Sequence, residues 1–225
     1  MKFGGFQKTS LIDFPGRISS ILFTTGCNLR CPFCYNRRLI IRPKPPFLSA
    51  EDAFEILESR RRYVSSVVIT GGEPTQNGDL DAFVRRLKER GFSVKLDTNG
   101  FFPQMLAKCL PYLDYVAMDV KTSLGKYGLM GAKGTRGFQR SIELLKDGRV
   151  DYEFRNTAVP GLINKEDIPE MGKLVEGAKR FVFQQFVPGE TLDKRFNDVN
   201  PYPPEVMKGF AEVMRSYVGK VVLRI

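Results

Sequence analysis

Cys27, Cys31 and Cys34 are the residues of this chain best suited to chemistry. They lie in Thr24-Thr25-Gly26-Cys27-Asn28-Leu29-Arg30-Cys31-Pro32-Phe33-Cys34-Tyr35-Asn36, a Cys-x3-Cys-x2-Cys spacing that puts three thiols on one short loop. Soft thiolates select iron–sulfur clusters, zinc or Cu(I). Three ligands on a four-iron cluster leave one iron open, and an open iron can bind a substrate directly. The competing reading is a structural zinc site or three unrelated thiols. Structural zinc takes four protein ligands, often including His. The chain has no His, and its remaining cysteine, Cys109, lies far downstream. The spacing therefore favours a cluster. The absence of His also excludes a Ser–His–Asp triad, a His-based zinc site and an axial-His haem.

A second group of polar signals recurs wherever an apolar run ends. It comprises Gly71-Gly72-Glu73, Asp97-Thr98-Asn99, Asp119-x-Lys121, Arg155-Asn156 and Gln184-Gln185. A turn alone explains Gly, Asn and Asp at such places. Their coincidence means more, because parallel βα folds build their sites at the C-terminal ends of strands. Glu73 suits an ammonium, and the two glycines before it let a backbone approach closely. Lys121 suits a carboxylate, with a rim salt bridge to Asp119 as the plain alternative. Phe33 suits stacking on a base, or packing on the mouth of the fold.

The elements that must position these residues alternate. Apolar runs at 18–23, 66–70, 93–96, 115–118, 152–159 and 181–183 read as buried strands, and 220–225 as a terminal strand. Between them lie helical stripes: residues 50–63 capped by Ser49 with Asp52 in the capping-box position, Leu80/Phe83/Val84/Leu87, a short helix carrying Cys109, Phe138/Ile142/Leu145, Ile168/Met171/Val175/Ala178, and Val206/Phe210/Val213/Tyr217. Residues 37–48, with Pro43, Pro45 and Pro46, read as a linker unsuited to helix. Residues 128–137, rich in glycine, read as a loop at the mouth, a lid or docking element or an ordinary connection. Cys109, between apolar neighbours, reads as a small buried thiol. Continuous apolar strands alternating with helices predict an α/β fold with a parallel sheet covered on both faces. Six βα units predict a partial (β/α)6 TIM-like barrel. Residues 1–17 read as a turn-rich N-terminal lead-in and 18–225 as one barrel domain with an extra C-terminal strand.

The chain has 225 residues and is 42% hydrophobic, enough for a sizeable core. Its start lacks the apolar stretch of a signal peptide, no run reaches the length of a membrane span, and four cysteines do not form a secreted disulfide framework. A cytoplasmic, oxygen-poor setting is expected. The net charge of +10 is scattered, with Arg60-Arg61-Arg62 the densest run, and reads as a solvated surface rather than a nucleic-acid interface.

These residues resemble a known family. Cys27-x3-Cys31-x-Phe33-Cys34 followed by Gly71-Gly72-Glu73-Pro74 is similar to the radical S-adenosylmethionine (radical SAM) superfamily. The stretches 5–16, 97–100, 115–121 and 183–186 resemble the activases of glycyl-radical enzymes, and within them the anaerobic ribonucleoside-triphosphate reductase activating proteins. The resemblance implies one [4Fe-4S] cluster held by Cys27, Cys31 and Cys34, with the methionine part of SAM on the fourth iron. It implies that Gly71, Gly72 and Glu73 take the methionine amine and that Lys121 pairs with the carboxylate. Asp97, Thr98 and Asp119, with the Ala117 carbonyl, surround a monovalent cation or the ribose, and Phe33 to Tyr35 contact the adenine. An electron from a donor such as flavodoxin or ferredoxin then cleaves SAM to a 5′-deoxyadenosyl radical, which takes a glycine α-hydrogen from the partner enzyme. The chain departs from many activases at Tyr35 and Gln184, where they carry His, and at Phe14, where they carry Gly. Gln184 keeps hydrogen-bonding capacity without charge. Two other functions stand beside this one: a radical SAM enzyme acting on RNA or a small molecule, and a non-catalytic zinc or iron–sulfur binding module.

Overall fold

In the computed structural model, which describes residues 1–148 and 150–225, the apolar runs assemble into one nine-stranded sheet. In chain order the elements are β1 (Lys2–Phe14), β2 (Arg17–Thr24), α1 (Arg37–Ile40), β3 (Leu48–Ser49), α2 (Ala50–Arg60), β4 (Ser66–Gly71), α3 (Leu80–Glu89), β5 (Ser93–Thr98), α4 (Pro103–Cys109), β6 (Tyr115–Asp119), α5 (Arg136–Lys146), β7 (Asp151–Ala158), α6 (Asp167–Leu174), β8 (Phe181–Gln185), α7 (Pro204–Met214) and β9 (Val221–Arg224). The strand order is β3-β1-β2-β4-β5-β6-β7-β8-β9. From β2 to β9 every pairing is parallel. The fold is therefore the expected partial six-unit barrel, open between its end strands, with β9 as the extra C-terminal strand. No helix among the described residues is long and apolar enough to cross a membrane.

The helices follow their sequence stripes. Ser49 caps α2 in a reciprocal box, its side chain accepting from the Asp52 amide and the Asp52 carboxylate accepting from the Ser49 amide. Leu80, Phe83, Val84 and Leu87 of α3 are buried against the sheet, as are Phe138, Ile142 and Leu145 of α5. Cys109 is buried on α4, as expected of a packing thiol.

Three elements differ from the sequence reading. Residues 1–17 are not a turn-rich lead-in: β1 is a long strand antiparallel to β2, and β3 adds to its outer edge. Register shifts between Phe3 and Gly5, Gln7 and Ser10, and Ser10 and Phe14 break the two-residue period that would have marked it. A four-residue helix, α1, forms before the prolines and buries Ile40. In α7 the buried face is Met207, Phe210, Ala211 and Met214 rather than Val206, Phe210, Val213 and Tyr217. Both stripes satisfy helical spacing, and the valines and Tyr217 pack only at its border.

The inner face of the barrel is where the fold positions chemistry. At its base Phe14, Ile21, Val68 and Tyr115 form a small apolar cluster separate from the main core. Above it the alternation of strand side chains sends charge inward. Lys95 and Asp97 come from β5, Asp119 from the end of β6, and Glu153 and Arg155 from β7. Glu153 accepts from the Tyr115 hydroxyl at 3.0 Å and from Arg224 at 3.0 Å.

Candidate active site

The cysteine loop begins where β2 ends and is pinned from several sides. The Gly26 amide donates to the Leu39 carbonyl at 2.8 Å, Arg30 N to Met130 O at 2.8 Å, and Asp193 N to Pro32 O at 2.8 Å. The Arg30 guanidinium donates back to the Cys27 carbonyl at 2.6 Å. One cavity is lined by Cys27, Cys31 and Cys34 together with Gly71, Gly72, Glu73, Asp97, Thr98, Asp119 and Lys121. Twelve of the expected site residues thus meet in one place, because Phe33 and Tyr35 line it as well. Gln184 does not line it: this residue sits on β8 beside Thr157, which does.

Burial pushes all three thiols above the ordinary cysteine value, Cys31 to about 12, against a downward pull from the nearby Lys121 ammonium. Metal-free, they hold their protons; loading a metal group must displace them. No three His, Cys, Asp or Glu side chains among the described residues gather tightly enough to hold a single metal ion. Three thiols on one shared cavity, in a chain without His, suit an iron–sulfur cluster.

Glu73 is buried and receives four donors. Oε1 accepts from the Thr75 amide at 3.0 Å, the Thr75 hydroxyl, and the Thr98 hydroxyl at 2.7 Å; Oε2 accepts from the Asn99 amide at 2.6 Å. Burial raises its carboxyl pKa against the pull of these donors. With one donor, Oε2 keeps a lone pair for an ammonium. Thr98 is therefore committed to Glu73 and turned away from the carboxylate of Asp97. Tyr35 stacks on Phe186, their centroids 6.0 Å apart, and its hydroxyl donates to the Val187 carbonyl. Phe33 is buried on the inner side of the loop, with the Lys121 Nζ 5.8 Å from its ring centroid.

The acidic groups form a ladder. Lys95 pairs with Asp97 Oδ1; Arg155 donates to Asp97 Oδ2 at 3.2 Å and to Asp119 Oδ1 at 2.8 Å; Lys121 donates to Asp119 Oδ2 at 3.0 Å. Burial disfavours both carboxylates, yet these cations outweigh it and hold Asp97 below, and Asp119 well below, the usual carboxylate range. Burial equally disfavours the Lys121 ammonium, and Asp119 overrides that to hold it above the ordinary lysine value. Lys95 was not among the expected site residues, and Asn99, part of the Asp97-Thr98-Asn99 signal, had no role assigned. Asn99 Nδ2 donates to Asn28 Oδ1 at 2.8 Å and lies 3.7 Å from Cys27 Sγ. The signal for Lys95 is its two-residue spacing from Asp97 inside a strand, which puts both on one face.

Arg155 is the centre of the ladder. Arg155→Met should destabilise the cluster-free protein by about 3 kcal/mol, because it strips a shared partner from two buried carboxylates. Asp119 opens partly on the cavity, with a quarter of its side chain exposed, which keeps the loss at the lower end of the range for such changes. The depressed carboxyl values add stability that is fully present above the unfolded carboxylate value of about 4 and is lost as pH falls below it. The variant should therefore lose less stability on acidification than the parent. Denaturant unfolding across pH reads both effects; equal unfolding midpoints for variant and parent at neutral pH would contradict the first.

A thiol-rimmed cavity at the C-terminal mouth of a parallel partial barrel, backed by a carboxylate–cation ladder, defines an enzyme built to hold a metal cluster beside a charged small molecule. The chain belongs to the radical SAM superfamily, whose family profile matches residues 21–175. Its cofactors are accordingly a [4Fe-4S] cluster and S-adenosylmethionine, and the residues lining the cavity fit both. Among its relatives is a Methanocaldococcus jannaschii protein named "putative glycyl-radical enzyme activating enzyme", 32% identical over 98% of this chain and 94% of that one. The pyruvate formate-lyase-activating enzyme of Clostridium pasteurianum is 26% identical over 83% of this chain and 81% of its own length. SuiB of Streptococcus suis, solved with its precursor peptide, shares the fold with a TM-score of 0.67 at 16% identity, over 91% of this chain and 48% of that one.

Proposed function

We propose that the chain is a glycyl-radical enzyme activase. When bound, the reduced cluster and SAM supply hydrogen-atom abstraction from a glycine α-carbon of the partner. Cys27, Cys31 and Cys34 hold the cluster. Glu73 Oε2 would take the methionine ammonium beside the Gly71–Gly72 backbone, Lys121 would pair with the methionine carboxylate, and the backbone of 33–35 would contact the adenine. Exposed Arg37 and Arg38, directly after the cysteine loop, share the one carboxylate of Glu190 at 3.9 and 3.7 Å, and the excess positive charge suits an acidic flavodoxin- or ferredoxin-type electron donor.

The observation that carries the activase reading is the open groove outside the cysteine loop. It has a volume of about 910 Å³ and is lined by Arg30, Pro32, Leu129, Leu162, Phe196 and Val199, among others. Its walls, apolar with Arg30, Lys194 and Arg195 against Asp193, suit a segment of polypeptide laid along the outer side of the cysteine loop, and the whole-length likeness to activating enzymes supports the same reading. The test is anaerobic: reduced, cluster-loaded protein with SAM is mixed with candidate glycyl-radical enzymes, an anaerobic ribonucleotide reductase first. A glycyl doublet in the electron paramagnetic resonance spectrum is expected. SAM cleavage without a partner radical from any candidate would favour RNA or a small molecule as substrate.

Lys121→Ala should weaken SAM binding about tenfold or more while iron content stays at the parent level, since it removes one charge-assisted hydrogen bond from a desolvated carboxylate. Calorimetric titration of the cluster-loaded protein measures it. Unchanged affinity would assign Lys121 solely to its ion pair with Asp119.

A further inference from the structure

The family resemblance places Asp97, Thr98 and Asp119 around a monovalent cation or the ribose, and the charge balance of the site speaks against the cation. The Thr98 hydroxyl donates to Glu73 and accepts from the Gly100 amide at 3.0 Å, which leaves it at most one lone pair. The four carboxylate oxygens of Asp97 and Asp119 each accept from a protein donor already. Lys95 takes Asp97 Oδ1; Arg155 and the Thr70 hydroxyl, the latter at 3.3 Å, share Asp97 Oδ2; Arg155 Nε takes Asp119 Oδ1; Lys121 takes Asp119 Oδ2. Three of these donor groups carry full positive charge against two carboxylates, so the pair has no charge left to neutralise. Lys95 is the unexpected member. Its side chain is 2% exposed and its ammonium is sealed inside the barrel, where nothing in the proposed chemistry uses it. A lysine is rarely buried unless its charge is required by a partner.

We propose that Lys95 is a built-in counter-cation: its ammonium, with Arg155, stands where a bound sodium or potassium ion would otherwise neutralise Asp97 and Asp119, and SAM binds without either ion. The proposal rests on the SAM reading of the cavity. Lys95 is thus a positioning residue. It holds Asp97 for Arg155, Arg155 orients Asp119, and Asp119 aims Lys121 into the cavity.

The test compares SAM affinity of the cluster-loaded protein in potassium, sodium and choline chloride at one ionic strength. Choline is too large and too weakly coordinating to replace a hard cation among oxygen ligands. The parent should bind SAM equally in all three salts. Lys95→Met, which keeps the length of the side chain and removes the charge, should lose about tenfold or more in choline and regain it in potassium or sodium. Lys95→Arg should remain indifferent to the salt. A purely structural role for Lys95 would weaken the Met variant equally in every salt. A second readout needs neither cluster nor SAM: potassium or sodium should raise the thermal midpoint of the cluster-free Met variant above its value in choline, and leave the parent unchanged. If Lys95→Met fails to fold, the parent and Lys95→Arg still decide, because tighter SAM binding by the parent in potassium or sodium than in choline overturns the proposal. SAM binding in no salt would overturn the reading of the cavity, and the proposal with it.

Discussion

Cys31→Ala should yield a folded protein with no four-iron cluster and no reductive SAM cleavage. Of the three thiols it is the most buried, at 6% exposure, and it packs with Phe33 and Leu29 at the edge of the main core. Removing its sulfur costs about 1 kcal/mol of packing, too little to unfold a domain of this size. The chemical loss is far larger. With Cys31 gone, the loop presents two thiols, and no His stands by to substitute. Cys109 cannot serve, because it is buried on α4 away from the cavity and burial pushes its thiol up to about 12. Iron and sulfide analysis after anaerobic reconstitution, with circular dichroism to show the fold intact, measures the outcome. A full complement of iron together with SAM cleavage would remove Cys31 from the site.

The parts of this site that could be read from the sequence share one property: they are short in sequence and hold their meaning without partners. The cysteine spacing, the Gly-Gly-Glu turn and the Asp-x-Lys pair each lie within a few residues, and the alternation of strands and striped helices then sets them at one mouth. Parallel βα topology does the gathering, so recognising the alternation suffices to predict that Cys27 and Lys121 meet. What escaped depends on register. The strand β1 lost its period to three irregularities in its pairing with β2. In α7 two apolar stripes competed, and only the packed sheet decides between them. The ladder from Lys95 to Lys121 escaped because a charged residue inside an apolar strand has no meaning until the facing strands are known. Asp97 lies level with Ala117 on β6, and Asp119 with Arg155 on β7. Those pairings turn scattered charges into one line of alternating sign. The same topology explains why the hydroxyl of Thr98 left the expected ligand set. Successive residues on a strand face opposite ways, so although both line the cavity, Asp97 turns to Lys95 and Arg155 while Thr98 turns to Glu73.

Gly72→Ala should be about as damaging to the cavity as the loss of a thiol, through sterics alone. A Cβ at this position would lie 1.8 Å from the Gly26 carbonyl oxygen and 2.7 Å from its carbon. Both are backbone atoms of the cysteine loop, so no side chain can swing aside. The contact exists because the end of β4 lies directly against the end of β2: Gly72 N donates to Thr24 O at 2.9 Å and Glu73 N to Gly26 O at 2.8 Å. Relieving the overlap separates the two turns, breaks these hydrogen bonds and withdraws Glu73 from Thr98 and Asn99. Overpacking of this kind costs about 3 kcal/mol or more where the backbone cannot yield. The variant should unfold at lower denaturant and incorporate less iron than the parent. Gly209→Ala supplies the contrast. That glycine sits in α7 with nothing within 4 Å of its would-be Cβ, so alanine there should add about 0.5–1 kcal/mol of stability and leave iron content alone. Parent-like stability and iron loading in Gly72→Ala would show that the cysteine loop can move off the Gly-Gly turn, and that the two glycines do not fix where the thiols stand.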